Sequence, residues 1–588
     1  MTALTAVGPT ALAATAAASA LGDAAPHLLA GFRENLPRAA DVVDRRLVAA
    51  AYREGLTGER SAVYWSDGQT FLPAKDGGYV VTRARRHAFD RIEIQERLTA
   101  DPARLLGRLA GSGDGAVATE LSDATVNLAL AYARRASISE QLLAQALETG
   151  ALDSLDLAAG LDPDEQCVFF ERLSTEGHNL HPCGRTRIGW TVGDLLAHDL
   201  ESDITAVGFV GVRRSIHIGD DVGRQLLPDL SIDHGRYAVT PVHAWQLDRV
   251  VRGPYADLVA DGTLVPLGIT IPATPTAALR TLMLPTDSDG TRRYLKASLD
   301  IQITSTRRTI SVASTRNGPI LSALLADLLD TDRVVLMAET AGSATVASGG
   351  RDRDLAAILR SGLSGRLAAY EVAVSGGALY AISPVTGTTV VAEIVTRFAR
   401  TRGLTERAGA ALAFVGEYAR LLLPPVLTLA TRYGIGLEAH LQNCVPTFVD
   451  GVPHRLALRD FAGLRVYPPR LPAPLPLWPG SVVVTDDADV MRSKVAYTAL
   501  QAHLGEIVIR LVESHNLDEP AAWSAVRRVV EEVYEDLRGD PAVADRAGED
   551  HAFLTAPTLP HKALLTMRLQ AARGQTGDIY VRVENPLR

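Results

Sequence analysis

The stretch from Lys296 to Ile310 reads KASLDIQITSTRRTI, and it alternates polar and apolar residues from its first position to Thr304. Read as a strand, it puts Lys296, Ser298, Asp300, Gln302 and Thr304 on one face and the aliphatic residues on the other, because successive side chains of a strand point to opposite sides. A solvated outer face is one reading of that polar row. An anion site is the other, since Arg292, Arg293, Lys296, Arg307, Arg308 and Arg316 crowd one span of a chain that carries 68 acidic against 59 basic residues.

Working outward, residues 176–375 keep this β-branched alternation with frequent Gly and Pro, as in Ala206 to Ile218, Tyr237 to Val242 and Leu264 to Ile271. Residues 1–175 instead repeat apolar positions at helical spacing, with one hairpin expected around Asp67-Gly68 inside Val63 to Thr82. The Ala-rich segment Met1 to Ala25 lacks a basic leader and reads as a tail or an early helix. Beyond about Thr388 helical patterns return, interrupted by a strand pair between Gly436 and Val466. The expectation is an α+β chain with a helical N-terminal lobe (1–175), a sheet-rich middle lobe (176–375) and a mainly helical C-terminal lobe (376–588) carrying a β-hairpin over 436–466. At 588 residues the chain exceeds what one hydrophobic core fills, so packed lobes are expected.

A net charge of -9 argues against nucleic acid as a partner, so any bound anion must meet local positive charge. The most apolar run, Leu421 to Ala430, contains Pro424 and Pro425 and is expected to be broken there, so no membrane span is expected. Three cysteines without CxxC spacing suit reduced thiols and a cytoplasmic setting. There is no GxxxxGK[ST] loop and no GxSxG elbow.

A second strand is expected at Leu437 to Asn443, with Glu438, His440 and Gln442 on one side. A lone histidine on a strand is commonly structural. A carboxylate, an imidazole and an amide at period two also supply a metal ligand, a proton carrier and an orienting hydrogen-bonder. Asp450-Gly451 then reads as a turn that returns the chain through Leu456 and Leu458 to Asp460, whose carboxylate would join Glu438 as a hard oxygen ligand for Mg²⁺. Residues 177–187, GHNLHPCGRTR, hold two histidines and a cysteine but no second zinc cluster; His181, Arg185 and Arg187 suit a polyanion better.

Taken together and in this order, these strings resemble the IucA/IucC family of siderophore synthetases, which work independently of nonribosomal peptide synthetases. The resemblance is carried by GHNLHPCGRTRIG from 177, PVHAWQ from 241, LRTL around Arg280 and Thr281, KASLDIQITSTRRTI from 296, EAHLQN from 438, RDFAG from 459, KALLTMRL from 562 and the closing Asn585-Pro586-Leu587. It implies a cupped hand of thumb, fingers and palm that adenylates a citrate-type acid with ATP and Mg²⁺ and passes it to an amine, hydroxamate-amine or alcohol nucleophile, with a homodimer left open. It further implies phosphate or nucleotide contacts from Arg280, Thr281, Lys296, Ser298, Thr304, Gln442, His181 and Arg185, acid contacts from Arg308 and His440, and a metal side of Glu438, Asn443 and Asp460. His440, Arg308 and Lys296 are the catalytic candidates. Ala278 departs from the family serine, Arg185 from a common lysine, and Asn179 and Ala244 from prolines.

Two other classes stay open at this point. A kinase-like phosphotransferase could use a Lys, an Asn and the Asp460-Phe461 bend, although its Gly-rich loop is missing. A non-catalytic binder of citrate or of a siderophore precursor is suggested by Ala278.

Overall fold

A computed structural model of the chain describes residues 8–58, 60–98, 101–111, 115–347, 352–572, 574–575 and 577–588. Helices Pro9–Ala24, Leu29–Arg53 and Gly115–Thr149 pack on one another around Phe32, Ala39, Leu128 and Tyr132. The N-terminal segment is thus helical from Pro9, and Met1 to Val7 lie outside the described residues. The expected hairpin forms between Tyr64–Ser66 and Gln69–Pro73, with Asp67 and Gly68 at φ of 51° and 74°, the left-handed pair that a two-residue turn needs.

The middle of the chain builds one eight-stranded sheet. Its order is His217–Gly219, Glu339–Thr345, Ala356–Ser361, Arg293–Ala297, Thr281–Met283, Leu264–Pro275, Thr205–Arg213 and Tyr237–His243, antiparallel throughout. Leu282, Leu295, Ala297, Ala357 and Leu359 pack on one face as apolar core. The other face carries charge: Thr281 lies opposite Lys296, Tyr294 opposite Arg360, and Arg360 opposite Glu339, and directly opposed residues share a face.

The long alternating strand expected from Lys296 to Thr304 is two strands. At Ser298 the chain leaves the large sheet, and Leu299–Ile303 pairs instead with Thr306–Arg308 as a separate hairpin. The cause is local. The Ser298 N–H donates to the Ala356 carbonyl at 2.8 Å, its hydroxyl donates to the Arg353 carbonyl at 2.6 Å, and the same oxygen accepts from the Ile310 N–H at 3.0 Å. Lys296 is thereby separated from Asp300 and Gln302.

A smaller sheet orders Val334–Leu336, Val452–Leu458, Cys444–Val449 and Val372–Ala373. Asp450 and Gly451, at φ of 49° and 80°, make the expected two-residue turn of its hairpin. Val334–Leu336 runs parallel to Leu456–Leu458, and the Met337 N–H donates to the Leu458 carbonyl. Only Met337 and Ala338 separate that strand from Glu339 of the large sheet, so the two sheets meet at this point.

Two expectations are corrected. Pro424 and Pro425 do not break their segment: Arg407–Tyr433 is one 27-residue helix. By length and hydropathy it could cross a bilayer, yet 67% of its most apolar window is buried inside the fold, where Phe414, Tyr418, Leu422 and Val426 form the central core. Leu437 to Asn443 is not a strand, since only Ile435–Gly436 is extended and paired, and Leu441–Asn443 is a single 3-10 turn. The carbonyls that a ladder would use are taken by a neighbouring helix, with Thr498 donating to Leu437 O and His503 Nδ1 bonded to Ala439 O.

Candidate active site

The parallel pair explains how the site is assembled. Leaving the paired ends Leu336 and Leu458, the two chains reach Glu339 and Asp460, and the Lys296 ammonium lies between them, 2.5 Å from Asp460 Oδ1 and 3.5 Å from Glu339 Oε1. Lys296 and Glu339 are buried, whereas the Asp460 side chain is 30% exposed. Burial opposes the Asp460 charge, but Lys296 and Arg280 outweigh it and hold the carboxyl well below its usual range. Burial raises the pKa of Glu339 against the pull of Lys296, and both of its oxygens lack a hydrogen-bond partner. A buried carboxylate without such partners is unusual and marks a place where a ligand or cation is expected.

Arg280 donates to the carbonyls of Arg308 and Thr309, and Arg308 donates to Thr304 Oγ1 at 2.9 Å. Burial, with Arg280 alongside, lowers Arg308 to about 10, so it stays cationic at neutral pH. Glu438 faces the same group: Lys494 lies 2.9 Å from it, and the carboxyl is held down at about 2 despite burial, chiefly by Lys494 and His440. His440 Nε2 is 4.0 Å from Glu438, and burial lowers its pKa. Asn443 Nδ2 donates to the Glu438 carbonyl, so the amide oxygen is the atom it can offer a cation. The expected set of Glu438, His440, Asn443 and Asp460 therefore faces Lys296, Arg280 and Arg308, although an irregular loop rather than a strand presents it. His181 also belongs here. Its Nδ1 accepts from the Cys183 N–H, which leaves Nε2–H to donate to Ser305 Oγ at 2.6 Å, and burial depresses it to about 3, so the ring is neutral.

Five expected contacts are placed differently. Arg185 is 2% exposed and donates to both oxygens of Glu201, at 3.0 and 2.8 Å, and to Asp199 at 3.2 Å, so its charge is consumed inside the fold. Arg187 is likewise bound to Asp199. Ser298 is buried with its hydroxyl committed on both sides, as above. Gln442 is exposed and does not share a face with Glu438; its carbonyl accepts from Arg459. Thr304 acts through Arg308: its hydroxyl donates to Ile303 O and accepts from the guanidinium. We expect Ser298→Ala to cost about 1–3 kcal/mol, because the Ile310 N–H loses its acceptor in a buried setting, with the KM values of the enzyme unchanged. Chemical denaturation compared with steady-state kinetics checks this.

Residues that the sequence reading missed complete the group. Glu339 is the one charge in the stretch from Val334 to Val346, which is the signal that could have found it. Arg360, buried over the Tyr294 ring at 4.7 Å, is felt by both Asp460 and Glu339. Lys494 comes from a helix far along the chain, and His178 is influenced by His181, His440 and Arg308. Backbone strain gathers at the same place. Leu279, Thr304 and Asp460 adopt φ of 58°, 55° and 66°, each costing on the order of 1–2 kcal/mol for a residue with a side chain, and each adjoins or is a charged member of the site.

Residues 166–381 match the family model described as IucA / IucC family, and residues 412–577 match one described as ferric iron reductase FhuF-like transporter. The chain is 26% identical over 463 residues to the D-ornithine–citrate ligase of Staphylococcus aureus (strain NCTC 8325 / PS 47), covering 71% of this chain and 69% of that protein. It is 24% identical over 450 residues to staphyloferrin A synthase of the same strain, covering 73% and 74%. Among solved structures, the petrobactin biosynthesis protein AsbB of Bacillus anthracis str. Sterne superposes with a TM-score of 0.77 at 20% identity, covering 95% of this chain and 98% of that one. ATP-bound aerobactin synthetase IucA of Klebsiella pneumoniae superposes at 0.66 and 17% identity, covering 93% and 99%. The architecture is thus the α+β fold of these synthetase structures. The family match over the large sheet agrees with the motif resemblance, and over most of its length the chain is similar to siderophore synthetases. The one cysteine of 412–577 is the buried Cys444, fewer than the several thiolates that an iron–sulfur cluster takes.

Proposed function

We propose that the chain is a siderophore synthetase: an ATP-dependent ligase that adenylates citrate or a related polycarboxylate and condenses it with an amine or hydroxyl nucleophile, releasing AMP and pyrophosphate. One observation carries this reading. Five cations, Lys296, Arg280, Arg308, Arg360 and Lys494, face three carboxylates, Asp460, Glu339 and Glu438, in a largely buried group, and such an excess of positive charge in a chain of net charge -9 calls for an anionic ligand. The names of relatives support citrate as the acid, and the ATP-bound neighbour supports the nucleotide.

A carboxylate is a poor electrophile because hydroxide is a poor leaving group. In the proposed first step a carboxylate oxygen of the acid attacks the α-phosphorus of ATP and the bond to pyrophosphate breaks. In the second the nucleophile attacks the acyl carbon, AMP leaves, and the nucleophile gives up its proton. Both reactants of the first step are polyanions, so preorganised positive charge is the largest contribution the protein can make. Lys296 and Arg280, with Thr281 opposite Lys296, suit the phosphates. Arg308 suits an acid carboxylate and a phosphate oxygen together, because its planar fork offers several donors at once. His440 suits the acid.

The donor set also fits Mg²⁺. Among the described residues no three His, Cys, Asp or Glu groups converge as a protein-only metal cage. Magnesium in nucleotide sites is commonly held by one or two carboxylates together with phosphate oxygens, and Glu438 and Asp460 with the amide oxygen of Asn443 offer that. The ion would supply Lewis-acid neutralisation of phosphate charge there.

The test is product analysis across a panel of polycarboxylic acids, with hydroxylamine as the trap. We expect AMP and pyrophosphate in equal amounts with hydroxamate formed from a citrate-type acid. ADP in place of AMP would establish the phosphotransferase, and acid binding without nucleotide turnover the binder.

A further inference from the structure

The string PVHAWQ at 241–246 contributes no member to the charged group, yet it lies behind one. His243 ends the edge strand Tyr237–His243 of the large sheet, and its Nδ1 accepts from the Trp245 N–H at 3.2 Å, which turns the chain into the short helix Ala244–Gln246. Trp245 joins the apolar cluster of Leu299, Ile301 and Ile303, the inward face of the hairpin that ends in Arg308. Gln246 is 0% exposed, and its amide bridges two segments: Oε1 accepts from the Asp300 N–H at 2.8 Å, and Nε2 donates to the Asp354 carbonyl at 3.1 Å.

The hairpin needs such a hold at Asp300. Leu299 pairs with Arg308 and Gln302 with Arg307, so Asp300 and Ile301 bulge out of the ladder between two consecutive residues of the opposite strand. A bulge leaves backbone groups unpaired, bends its strand and re-aims the side chains beside it. Gln246 supplies the Asp300 N–H with the acceptor that the ladder does not, one residue from Leu299, the partner of Arg308. On the far side of the bulge the Gln302 N–H donates to the Ile188 carbonyl at 3.0 Å, and a Cβ on Gly189, at φ of 114°, would stand 3.2 Å from Ile301 Cγ2. The hairpin is a two-stranded sheet of its own, so these contacts, with those of Ser298 at its base, set its direction.

We propose that Gln246 is a positioning residue of the ligase: it holds the bulge at Asp300 and Ile301 and thereby aims Arg308 at the reactants. The inference rests on the ligase reading for the role of Arg308. Position 246 needs a buried side chain that accepts and donates at once, which an ionised glutamate cannot do. A carboxylate there would face the Asp354 carbonyl. The charges around it are Asp300, paired with Arg307 and raised by burial, and Asp354, which accepts from the Tyr255 hydroxyl at 3.0 Å. Once protonated, that glutamate could donate to the Asp354 carbonyl and restore the native pattern.

The experiment is a double-mutant cycle on acid-dependent pyrophosphate release. Gln246→Leu should lower kcat/KM for the acid about tenfold or more in the native background and less than about threefold in Arg308→Ala, because a residue that acts through Arg308 has nothing left to act on. Thr240→Val removes a buried hydroxyl contact with Ser343 elsewhere in the large sheet; as the control for lost stability it should stay within about twofold. Gln246→Glu should lose about as much as Gln246→Leu at pH 8, and its rate relative to the native enzyme should recover as pH falls to 6 and the carboxyl takes up its proton. Amide hydrogen exchange reads the hairpin directly: residues 299–308 should exchange about tenfold or more faster in Gln246→Leu, with the strand Thr205–Arg213 unchanged. Equal losses in the two backgrounds would overturn the proposal, as would unchanged exchange of the hairpin or a loss in Thr240→Val as large as in Gln246→Leu. If the native protein releases no pyrophosphate with any acid, the ligase reading fails, and hydrogen exchange still decides whether Gln246 holds the hairpin. If Gln246→Leu does not fold, Gln246→Glu decides: recovery toward acid pH upholds the proposal, and a deficit independent of pH refutes it.

Discussion

Arg308→Ala is expected to lower acid-dependent pyrophosphate release by roughly a hundred- to a thousandfold, while Arg307→Ala leaves it largely intact. The two arginines are neighbours in sequence and opposites in setting. The Arg307 side chain is 66% exposed and pairs with Asp300 at 2.7 Å, an exposed contact of the kind worth about 0–1 kcal/mol. Arg308 is buried, fixed by Thr304 and set among Arg280, Asp460 and Glu438. A cation held in place before reaction strengthens its interaction as negative charge gathers on the transferring phosphorus, and losing it costs on the order of 3–4 kcal/mol of barrier. The measurement is pyrophosphate release at saturating ATP and acid on variants with unchanged thermal melting. Equal rates in both variants, or loss confined to Arg307→Ala, would place the anion site elsewhere.

Arg185→Ala is expected to cost about 3–5 kcal/mol of stability, because it strands Glu201 and shares in stranding Asp199, both buried, with Arg187 the remaining cation beside Asp199. The sign follows from burial. Burial alone would push the Asp199 carboxyl up, yet Arg185 and Arg187 hold it down at about 2, so the native state relies on its being ionised. A carboxyl held below its unfolded value contributes stability that is present above its unfolded pKa of about 3.9 and is lost as pH falls toward about 2, so the deficit of the variant should narrow over that window. Urea unfolding midpoints at pH 7 and pH 3 measure this, with Arg252→Ala, which removes an exposed pair with Asp248, as a control expected to cost less than about 1 kcal/mol. Full stability in Arg185→Ala together with loss of ATP-dependent turnover would return Arg185 to the phosphates.

What could be read from the sequence divides along a physical line. Local rules sufficed where one short stretch decides its own geometry: the turns at Asp67-Gly68 and Asp450-Gly451, and the alternation that puts Lys296 opposite the aliphatic face, are all present. They failed where a partner distant in sequence decides. Alternation gave no warning that Ser298 would turn the chain by bonding Arg353 and Ile310, nor that His503 and Thr498 would take the carbonyls of the segment after Gly436. Arg185 was misread for the same reason, since its basic string hides two acids that fold back from positions 199 and 201. Lys296, Arg280, Arg308, Glu438, His440 and Asp460 converge nonetheless, because the family strings carry information about such distant partners that periodicity lacks.

The junction at Met337 and Ala338 sets where the molecule can give way. One strand passes from the small sheet into the large one there, while a backbone hydrogen bond ties the same point to Leu458, two residues before Asp460. Any rocking of one sheet against the other therefore turns about the place where Lys296, Glu339 and Asp460 meet. Groups at a fulcrum travel least, so in any such rocking the distances among these three charges would change less than those farther out on either sheet.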